Sequence, residues 1–488
     1  MVSRPVDLVT SEACESLPPK EATMNEKPEV RAFFQDVLSG KLSRREMIRR
    51  GAALGLSAGF VGFLAQESLR SALAQGRDPI FTFYNWMTDL HPGIYDVGKD
   101  VGMKVEVAPT QGFSFDRFVA EAKEGTSTWD GYGGVTPFLE MIALTETGTI
   151  EPWDPYLPEG LLDDFIPATR EEGTYNGQFY VWPFLLDVIV QGWNADLVEK
   201  AGLDPEVAPK NWDEYLANAQ KVKDSKAAPY GCTFDFHDWR SLIPITHSIS
   251  TDVYTPEGLF RYTSDAALEA LEILKRMMPL TSADVLSEGS TDAGVNATPD
   301  EQAFAAQQAA YYIKYQNAHL RMAAAWPDPS KVRIAGLPVK EGGAGGTVFW
   351  DTGAVLFKYG QNKEKAVEFM LALSKDMRIW KNSIQGDPEK GTIPVGQLPV
   401  LQSIWAEWKS TPPDFVSANK WIFSVYDSLS RAKAIAPSIL SVTQFNVARP
   451  EWIKYLSGEE PDPKVAMQKA QDAVAAEYKK QTGKDPSY

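Results

Sequence analysis

Short apolar runs alternate along the chain with segments that have helical patterning. Residues 80–85 (IFTFYN) are apolar, β-branched and aromatic, which is typical of a strand, and residues 103–108 predict another strand. Residues 114–124 predict a helix after it. The same alternation continues along the chain. Strands that alternate with helices indicate α/β architecture, so the sequence predicts an α/β fold.

Polar cap residues mark where several helices begin. Asn211 is followed three positions later by Glu214, a pair that satisfies free backbone N–H groups at a helix start, and the predicted helix runs towards Val222. Two later helices are predicted in the same way, from Asn362 to about Ser374 and from Asp462-Pro463 through Met467 to Tyr478.

A further helix start is predicted at Thr298, with Pro299 at the first helical position and Glu301 three residues after the cap. The predicted helix leads into residues 304–315. Three tyrosines are expected on one face of this helix, where core packing is favoured over ligand contact: Tyr311, Tyr312 and Tyr315.

Two extended apolar runs each contain one carboxylate. Residues 182–190 (WPFLLDVIV) carry Asp187, and residues 347–355 (TVFWDTGAV) carry Asp351. Both runs predict strands that cross between two lobes. Because an unpaired charge in a buried strand is costly, each acid predicts either a local salt bridge or a polar group that faces a cleft and contacts a ligand.

The N-terminal part of the chain predicts an export signal. Paired arginines in residues 43–49 precede an uncharged run, residues 51–65, which is too short for a membrane span of about 20 residues. We expect a disordered leader over 1–42 and a twin-arginine signal peptide over 43–74, cleaved near Ala74. The alternative is a buried helix after a basic turn, and translation from Met24 stays open. Export predicts a periplasmic protein.

Composition excludes several classes of function. The formal net charge of −17 argues against nucleic acid or an anionic membrane surface as a partner. Two cysteines exclude a disulfide scaffold and a cysteine-ligated iron–sulfur cluster. The sequence has no phosphate-binding loop or dinucleotide fingerprint, and its four histidines lack metal-ligand spacing, so no cofactor and no metal are expected. The GxSxG pattern at 55–59 lies inside the apolar signal run and is a chance match.

Several short motifs follow one another in a fairly specific order, at residues 175–183, 191–194, 197–202, 211–215, 304–310, 332–338, 362–369 and 456–470. Their order resembles the extracellular solute-binding proteins of the maltose type, which feed ABC importers. Gln307 departs from the family pattern, because glycine is usual at that position, and Trp193 replaces the usual Tyr before Asn194. Residues 386–413 contain no motif that can be placed.

The resemblance implies the type II periplasmic binding protein fold, in which two α/β lobes are joined by hinge strands. It implies one lobe formed by residues 75–185 and 352–410 and another formed by 186–351 and 411–488. The expected function is capture of a carbohydrate or polyol in the cleft by hinge closure, followed by delivery to the membrane permease subunits of an ABC importer. The protein is expected to be a monomer.

Sugar recognition needs flat apolar surfaces together with fixed polar groups, and the 14 tryptophans supply many such surfaces. Alignment with the family pattern places Asp187 where a carboxylate meets ligand hydroxyls. Asp130 has a structural cap as its alternative role, and Trp326 and Trp350 have core packing as theirs. The expected ligand contacts are Trp86, Thr88, Asp130, Tyr132, Asp187, His237, Trp239, Trp326, Trp350 and Asp351.

Two other functions fit the same composition. A secreted glycosidase would also have an aromatic, acidic cleft, but it needs two carboxyls about 5–9.5 Å apart across the sugar bond. An exported oxidoreductase loaded with a cofactor is a third hypothesis, which depends on the twin-arginine signal alone. Within the binding-protein hypothesis, the identity of the ligand and the tryptophans that stack on it stay open.

Overall fold

The computed structural model describes most of the chain between the first strand and the C-terminus. Residues 78–488 form one compact unit, which contains every element described below. None of the helices described is long and apolar enough to cross a membrane. The predicted leader and all but four residues of the predicted signal peptide lie outside the described residues, which are 77–108, 115–287 and 298–488 with Glu46, Arg49, Arg50 and Ala53.

One mixed sheet runs through this unit, with a separate two-stranded hairpin beside it. The strands are β1 (Ile80–Phe83), β2 (Lys104–Val107), β3 (Gly131–Val135), β4 (Ile150–Glu151), β5 (Thr174–Tyr175), β6 (Gln178–Phe179), β7 (Trp182–Asn194), β8 (Tyr230–Phe234), β9 (Ala309–Tyr315), β10 (Val332–Ala335), β11 (Val348–Phe357) and β12 (Lys433–Ala434).

Helices cover the sheet and fill the rest of the unit. They are α1 (Asn85–Leu90), α2 (Gly93–Val101), α3 (Asp116–Lys123), α4 (Ile142–Glu146), α5 (Leu161–Asp164), α6 (Pro167–Glu172), α7 (Ala195–Lys200), α8 (Trp212–Asp224), α9 (Leu242–Ile249), α10 (Asp265–Met277), α11 (Pro299–Ala305), α12 (Gln316–Ala323), α13 (Lys363–Lys375), α14 (Met377–Gln385), α15 (Gln402–Ser410), α16 (Asp414–Ser417), α17 (Trp421–Leu429), α18 (Thr443–Ser457) and α19 (Pro463–Thr482).

The long strand β7 connects the two ends of the sheet. The strand order is β2-β1-β3-β11-β7-β9-β8, with β10 also paired to β7 and with β4 and β12 paired to β11. The first half of β7 pairs antiparallel with β11, and the second half, from Ile189 to Trp193, pairs antiparallel with β9. All 13 residues of β7 are buried, as predicted for an apolar crossing strand.

The two larger hydrophobic cores lie on either side of this crossing, and a third, smaller core contains Phe118, Tyr132 and Val355. The first core contains Phe81, Phe369 and Trp380, and the second contains Tyr215 and Trp452. The lobe boundaries expected from the sequence place residues 411–488 in the second lobe. However, six apolar side chains from that region pack in the first core: Phe415, Val416, Ile422, Val425, Leu429 and Ala432.

Local sequence signals place several elements correctly. The Asn211 side chain accepts a hydrogen bond from the Glu214 backbone N–H at 2.8 Å and caps α8. Asp462 caps α19 in the same way through the N–H of Lys464. Both predicted crossing runs are strands, β7 and β11. These signals act over a few residues, so the local sequence suffices to fix them.

The predicted helix continues to residue 315, and it is wrong beyond Ala305. Helix α11 ends at Ala305, and the three tyrosines lie on β9, which pairs parallel with β8. Gln307 has a φ of 54°, in the left-handed region that ends helices, and its backbone N–H bonds the Phe304 carbonyl. A continuous apolar run suits a buried strand as well as a helix, so the patterning could not separate them.

The conformation of Gln307 explains why the family pattern has glycine there. We expect Gln307→Gly to raise the free energy of unfolding by about 0.5–1 kcal/mol. The reason is that the left-handed backbone conformation is strained by roughly 1–2 kcal/mol in a residue with a Cβ, whereas glycine adopts it freely. Gln307→Val should lower it, since β-branched residues tolerate positive φ least. Urea unfolding measures both variants. A Gly variant less stable than the Val variant would contradict this explanation.

Candidate functional site

Polar side chains gather where the parallel strands β8 and β9 end. In α/β sheets, ligands bind outside the carboxyl ends of strands. Asp235 follows β8 directly, and its carboxylate accepts from the His237 Nδ1 at 2.6 Å and from the Arg240 Nη1 at 2.9 Å. His237 and Arg240 are both only partly buried. The carboxylate therefore orients two polar side chains that stay accessible at this edge.

Aromatic rings continue from these residues towards the crossing strands. The rings of His237 and Trp239 lie 4.9 Å apart, and the Arg240 guanidinium carbon lies 5.8 Å from the Trp239 ring and 5.5 Å from the Tyr315 ring. Tyr315 in turn meets Trp350 edge-to-face at 5.4 Å. These five residues are called the aromatic arc below. The arc combines flat apolar faces with a guanidinium and an imidazole.

A network of charged side chains, centred on Lys314, supports the arc through Asp235. Lys314 on β9 is fully buried, and its ammonium lies 2.6 Å from Asp235, 2.7 Å from Asp300 and 3.5 Å from Glu301. Although burial alone would lower it, these three carboxylates raise the pKa of Lys314. Burial alone would raise the pKa of Asp235, but the nearby charges of Lys314 and Arg240 hold it well below its usual range. Lys314 and Asp235 therefore stay charged at neutral pH.

Asp187 lies directly opposite Trp350 in the β7–β11 pairing, next to the arc. It is 3% exposed and accepts from the Asn317 Nδ2 at 2.7 Å and from the Gln397 Nε2 at 2.9 Å. No ion pair to a described cation accompanies these two amide bonds. Burial raises the pKa of Asp187 to about 6, and the two amides limit the rise. Each carboxylate oxygen has a second lone pair for a further donor.

Asp351 occupies the other face of β11, opposite Leu186, and meets the carboxyl of Glu172 at the end of α6. Both side chains are buried, and Glu172 Oε2 accepts from the Asp351 backbone N–H at 3.0 Å. Neither oxygen of Asp351 has a hydrogen-bond partner among the described residues. Burial and then the neighbouring carboxylates raise the pKa of both groups well above their usual range. The pair therefore holds a proton, which supplies the missing donor.

This pair predicts a pH-dependent effect of Asp351→Asn. The folded state binds the proton of the pair more tightly than the unfolded state, so the wild-type free energy of unfolding falls as pH rises above about 4. The amide keeps the shape and carries its own donor. We expect the variant to be more stable than wild type by about 1–2 kcal/mol at pH 8 and nearly equal at pH 4.

Urea unfolding from pH 4 to pH 8 measures this difference. Asp213→Asn is the matched control, because Asp213 is an exposed partner of Arg276 and should change stability by less than about 0.5 kcal/mol at every pH. The stability difference between the variant and wild type should increase from pH 4 to pH 8. A difference that decreases over this range would show that the pair does not share a proton.

Three predicted ligand contacts lie inside a core instead. Asp130 is fully buried and accepts from the backbone N–H groups of Ile80 and Gln361, both at 2.8 Å, so it ties β1 to the chain before α13. Tyr132 packs against Phe118 with ring centroids 5.1 Å apart. Trp326 is 5% exposed, and its indole N–H donates to the Phe304 carbonyl at 3.1 Å. The bonding of Asp130 matches the structural alternative weighed from the sequence, and core packing does so for Trp326.

Trp86 and Thr88 lie on α1, directly after β1. Trp86 is half-buried and meets the Tyr84 ring at 6.5 Å. Thr88 is buried and its hydroxyl donates to the Asn85 carbonyl at 2.9 Å. The described contacts thus bring Asp187, His237, Trp239 and Trp350 together, and they do not join Trp86 or Thr88 to this group. A ligand contact at α1 stays a prediction.

Sequence reasoning missed four residues at the site: Arg240, Tyr315, Asn317 and Gln397. Arg240 lies one position after the predicted triplet 237–239, so its closeness to Trp239 was an available signal. Tyr315 was set aside because its segment was predicted to be helical. No sequence signal identifies Gln397, which lies 210 positions from Asp187 within the segment that had no recognisable motif.

Nothing in the described part of the chain forms a metal-ligating cluster of histidine, cysteine or acidic side chains. Burial lowers the pKa of His91, His247 and His319 to about 4, so these imidazoles are neutral. Burial also raises the pKa of the Cys232 thiol to about 12, which keeps it protonated and unreactive. Cys232 belongs to the second core, and the three imidazoles are fully buried.

The two cores and the strands that cross between them define the fold of the two-lobed periplasmic binding proteins. Solved structures with this fold match nearly the whole unit. The GacH receptor of Streptomyces glaucescens superposes with a TM-score of 0.63 at 17% identity, over 84% of this chain and 99% of that one. Maltose-bound MalE3 of T. maritima gives 0.64 at 16% identity, over 81% and 98%.

The sequence comparisons identify the family. Residues 134–376 match the model of the bacterial extracellular solute-binding proteins, so this segment belongs to that family and the resemblance found in the sequence is confirmed. A putative binding protein of Brucella abortus is 24% identical over 49% of this chain and 57% of its own length. The arabinooligosaccharide-binding protein of Bacillus subtilis is 25% identical over 54% and 59%. The chain thus spans less than two thirds of these relatives.

Proposed function

We propose that the protein is the solute-binding component of an ABC importer and captures a carbohydrate or polyol between its lobes. The observation that carries this proposal is the aromatic arc beside Asp187. Ring faces cover the C–H surfaces of a sugar, while the guanidinium and the carboxylate bond its hydroxyls. Membership of a solute-binding family and the similarity to the arabinooligosaccharide-binding protein of Bacillus subtilis support the same class of ligand.

The charges of the site favour an uncharged ligand. The charge network contains three cations, the buried Lys314 and the partly buried Arg240 and Arg321. Its three partner acids are Asp235, Asp300 and Glu301. The network is therefore neutral without a ligand. Asp187 adds one negative charge when it is ionised, so an anionic ligand would meet repulsion and a neutral hydroxylated one would not.

Hinge closure is the proposed mechanism. The strands β7 and β11 cross between the cores, and a ligand that touches both sides would stabilise the closed arrangement. Phe138, which follows β3, packs in the second core with its ring 6.4 Å from Phe445. Contacts of this kind are the ones that would form or break as the lobes move. The closed form would then be recognised by permease subunits at the inner membrane.

The remaining features of this proposal come from the sequence. The twin-arginine signal indicates export of the folded protein to the periplasm, with cleavage near Ala74, and we propose a monomer without a cofactor. A periplasmic location is supported by similarity to the probable amino-acid ABC transporter periplasmic-binding protein of Sinorhizobium fredii, which is 26% identical over 128 residues.

A thermal-shift screen tests the proposed function. The panel contains neutral monosaccharides, maltose, maltotriose, arabino-oligosaccharides and polyols, with glucuronate and galacturonate as charged counterparts. A ligand present at 1,000 times its Kd should raise the free energy of unfolding by about 4 kcal/mol. We expect a neutral compound to stabilise the protein more than its acidic counterpart. No stabilisation by any neutral member would overturn the proposal.

The same preparation tests for glycosidase activity. The carboxyls of Glu172 and Asp351 are both buried and face each other, so they do not flank a space for a sugar bond. We therefore expect no release of nitrophenol from aryl glycosides and recovery of the bound sugar intact. Turnover that depends on either acid would favour an enzyme.

A further inference from the structure

The Asp187 carboxylate is held between two hydrogen-bond chains that arrive from different parts of the fold. On one side, His91 bonds Gln397, which bonds Oδ2 of Asp187. On the other side, Arg321 bonds Asn317, which bonds Oδ1. Each oxygen therefore has a donor that is itself oriented by a second residue. The two amide donors already satisfy the buried carboxylate, so the further bonds that His91 and Arg321 make to these amides serve to orient the donors.

The direction of the first chain follows from the chemistry of its members. The Asp187 carboxylate can only accept when it is ionised, so Gln397 must present its amide nitrogen to Asp187. The amide oxygen of Gln397 then faces His91 Nε2 at 2.8 Å and needs a donor. His91 is fully buried, and burial lowers its pKa to about 4, so the ring is neutral. Its single proton must therefore be on Nε2.

Backbone bonds fix the position of Gln397 against the crossing strand. Leu398 and Leu186 exchange backbone hydrogen bonds at 3.2 Å and 3.3 Å, one residue from each end of the Gln397–Asp187 contact. The Ser383 hydroxyl donates to the Gln397 carbonyl at 2.7 Å. Gln316 bonds the carbonyl of Leu186 at 2.8 Å and that of Gly396 at 3.3 Å. The side chain of Gln397 is thus delivered to Asp187 by a fixed backbone.

We propose that His91 and Gln397 are positioning residues, which fix the direction and ionised form of the Asp187 carboxylate at the ligand site. This inference rests on the proposed function only in its last step, where Asp187 meets the ligand. It also gives a role to the segment 386–413, which had no recognisable motif.

Other charged groups around Asp187 act in parallel and stay in place in the test. Arg321 on α12 and Arg240 beside the arc favour the ionised carboxylate, while the Asp351 carboxyl on β11 interacts unfavourably with it. None of these three belongs to the His91–Gln397 chain. Substitutions in that chain therefore change one donor to Oδ2 and leave the surrounding charges unaltered.

The test is the titration of Asp187 followed by carboxyl-carbon NMR on protein labelled at the aspartate Cγ, with Asp187→Asn to assign the signal. Gln397→Met keeps the length of the side chain and removes the donor. We expect it to raise the titration midpoint by at least about one pH unit, because a hydrogen bond to the charged form is lost. His91→Leu should give a smaller rise in the same direction.

His91→Gln restores a donor at the position of Nε2 and should return the midpoint towards the wild-type value. A purely structural role for His91 would not produce this rescue. Midpoints that stay at the wild-type value in both Gln397→Met and His91→Leu, in variants whose thermal unfolding remains cooperative, would overturn the proposal.

Calorimetric titration with maltose, or with the neutral sugar that stabilises most in the screen, separates this inference from the proposed function. If the midpoint rises from about 6 to about 7, the ionised fraction of Asp187 at pH 7 falls by about half, so we expect the affinity of Gln397→Met to fall at least about twofold at pH 7 and to recover towards pH 9. If wild type binds no sugar, the proposed function fails, and the NMR titration still decides the role of the chain. If wild type binds but the affinity of Gln397→Met has the wild-type pH profile, the positioning role is contradicted.

Discussion

Replacement of Lys314 by methionine is expected to lower the free energy of unfolding by about 3–5 kcal/mol. The ammonium is fully buried and is the cation that Asp235 and Asp300 share at 2.6 Å and 2.7 Å. Methionine fills a similar volume, so the loss comes from leaving buried carboxylates without a partner. Urea unfolding at pH 7 measures the change. The loss should shrink as the pH falls and the orphaned acids take up protons.

Lys340→Met is the matched control. Lys340 bonds Glu269 at 2.6 Å, but both side chains are more than one third exposed. Exposed pairs of this kind contribute about 0–1 kcal/mol, so the control should remain close to wild type. A Lys314→Met variant as stable as the control would mean that the network beneath the arc does not stabilise the second core.

Truncation of Asp187 to alanine is expected to weaken ligand binding by about 2–4 kcal/mol, or about 30- to 1,000-fold in Kd. The carboxylate would lose its bonds to ligand hydroxyls, and the amides of Asn317 and Gln397 would be left without their acceptor. Calorimetry with the sugar that binds wild type most tightly measures the effect. The loss is expected to appear mainly at pH values above about 6, where the wild-type carboxylate is ionised.

Asp351→Asn is the control for this experiment, because Asp351 lies on the paired strand but on its opposite face. Its affinity should stay within about threefold of wild type, a change below 1 kcal/mol. Wild-type affinity in Asp187→Ala would remove Asp187 from the binding site. An equal loss in both variants would indicate a general disturbance of the crossing strands.

The elements that local sequence specifies were predictable. Asn211 and Asp462 cap helices through contacts two or three residues away, and the apolar run around Asp187 is a buried strand. The α/β fold follows from the alternation of such elements, and the structural comparisons confirm the two-lobed form. The change from helix to strand near Gln307 was missed because it depends on one backbone angle and on pairing with β8.

The candidate site was only partly predictable, because its members come together through the fold. Asp187, His237, Trp239 and Trp350 were selected from the family pattern, and the structure places them around Arg240 and Tyr315. Partners of Asp187 lie 130 and 210 positions away, beyond any local signal. Trp326 and Trp350 are both buried in the second core, but the Trp326 indole bonds a backbone carbonyl, whereas Trp350 meets Tyr315 in the arc. Residue type alone could not separate these two tryptophans.

Small-angle X-ray scattering with and without the sugar that stabilises the protein most tests closure of the lobes directly. If two lobes close on a neutral hydroxylated ligand, the radius of gyration should decrease as the ligand saturates the protein, with the same midpoint as the calorimetric titration. A radius that stays constant while calorimetry shows one ligand bound per chain would contradict this account.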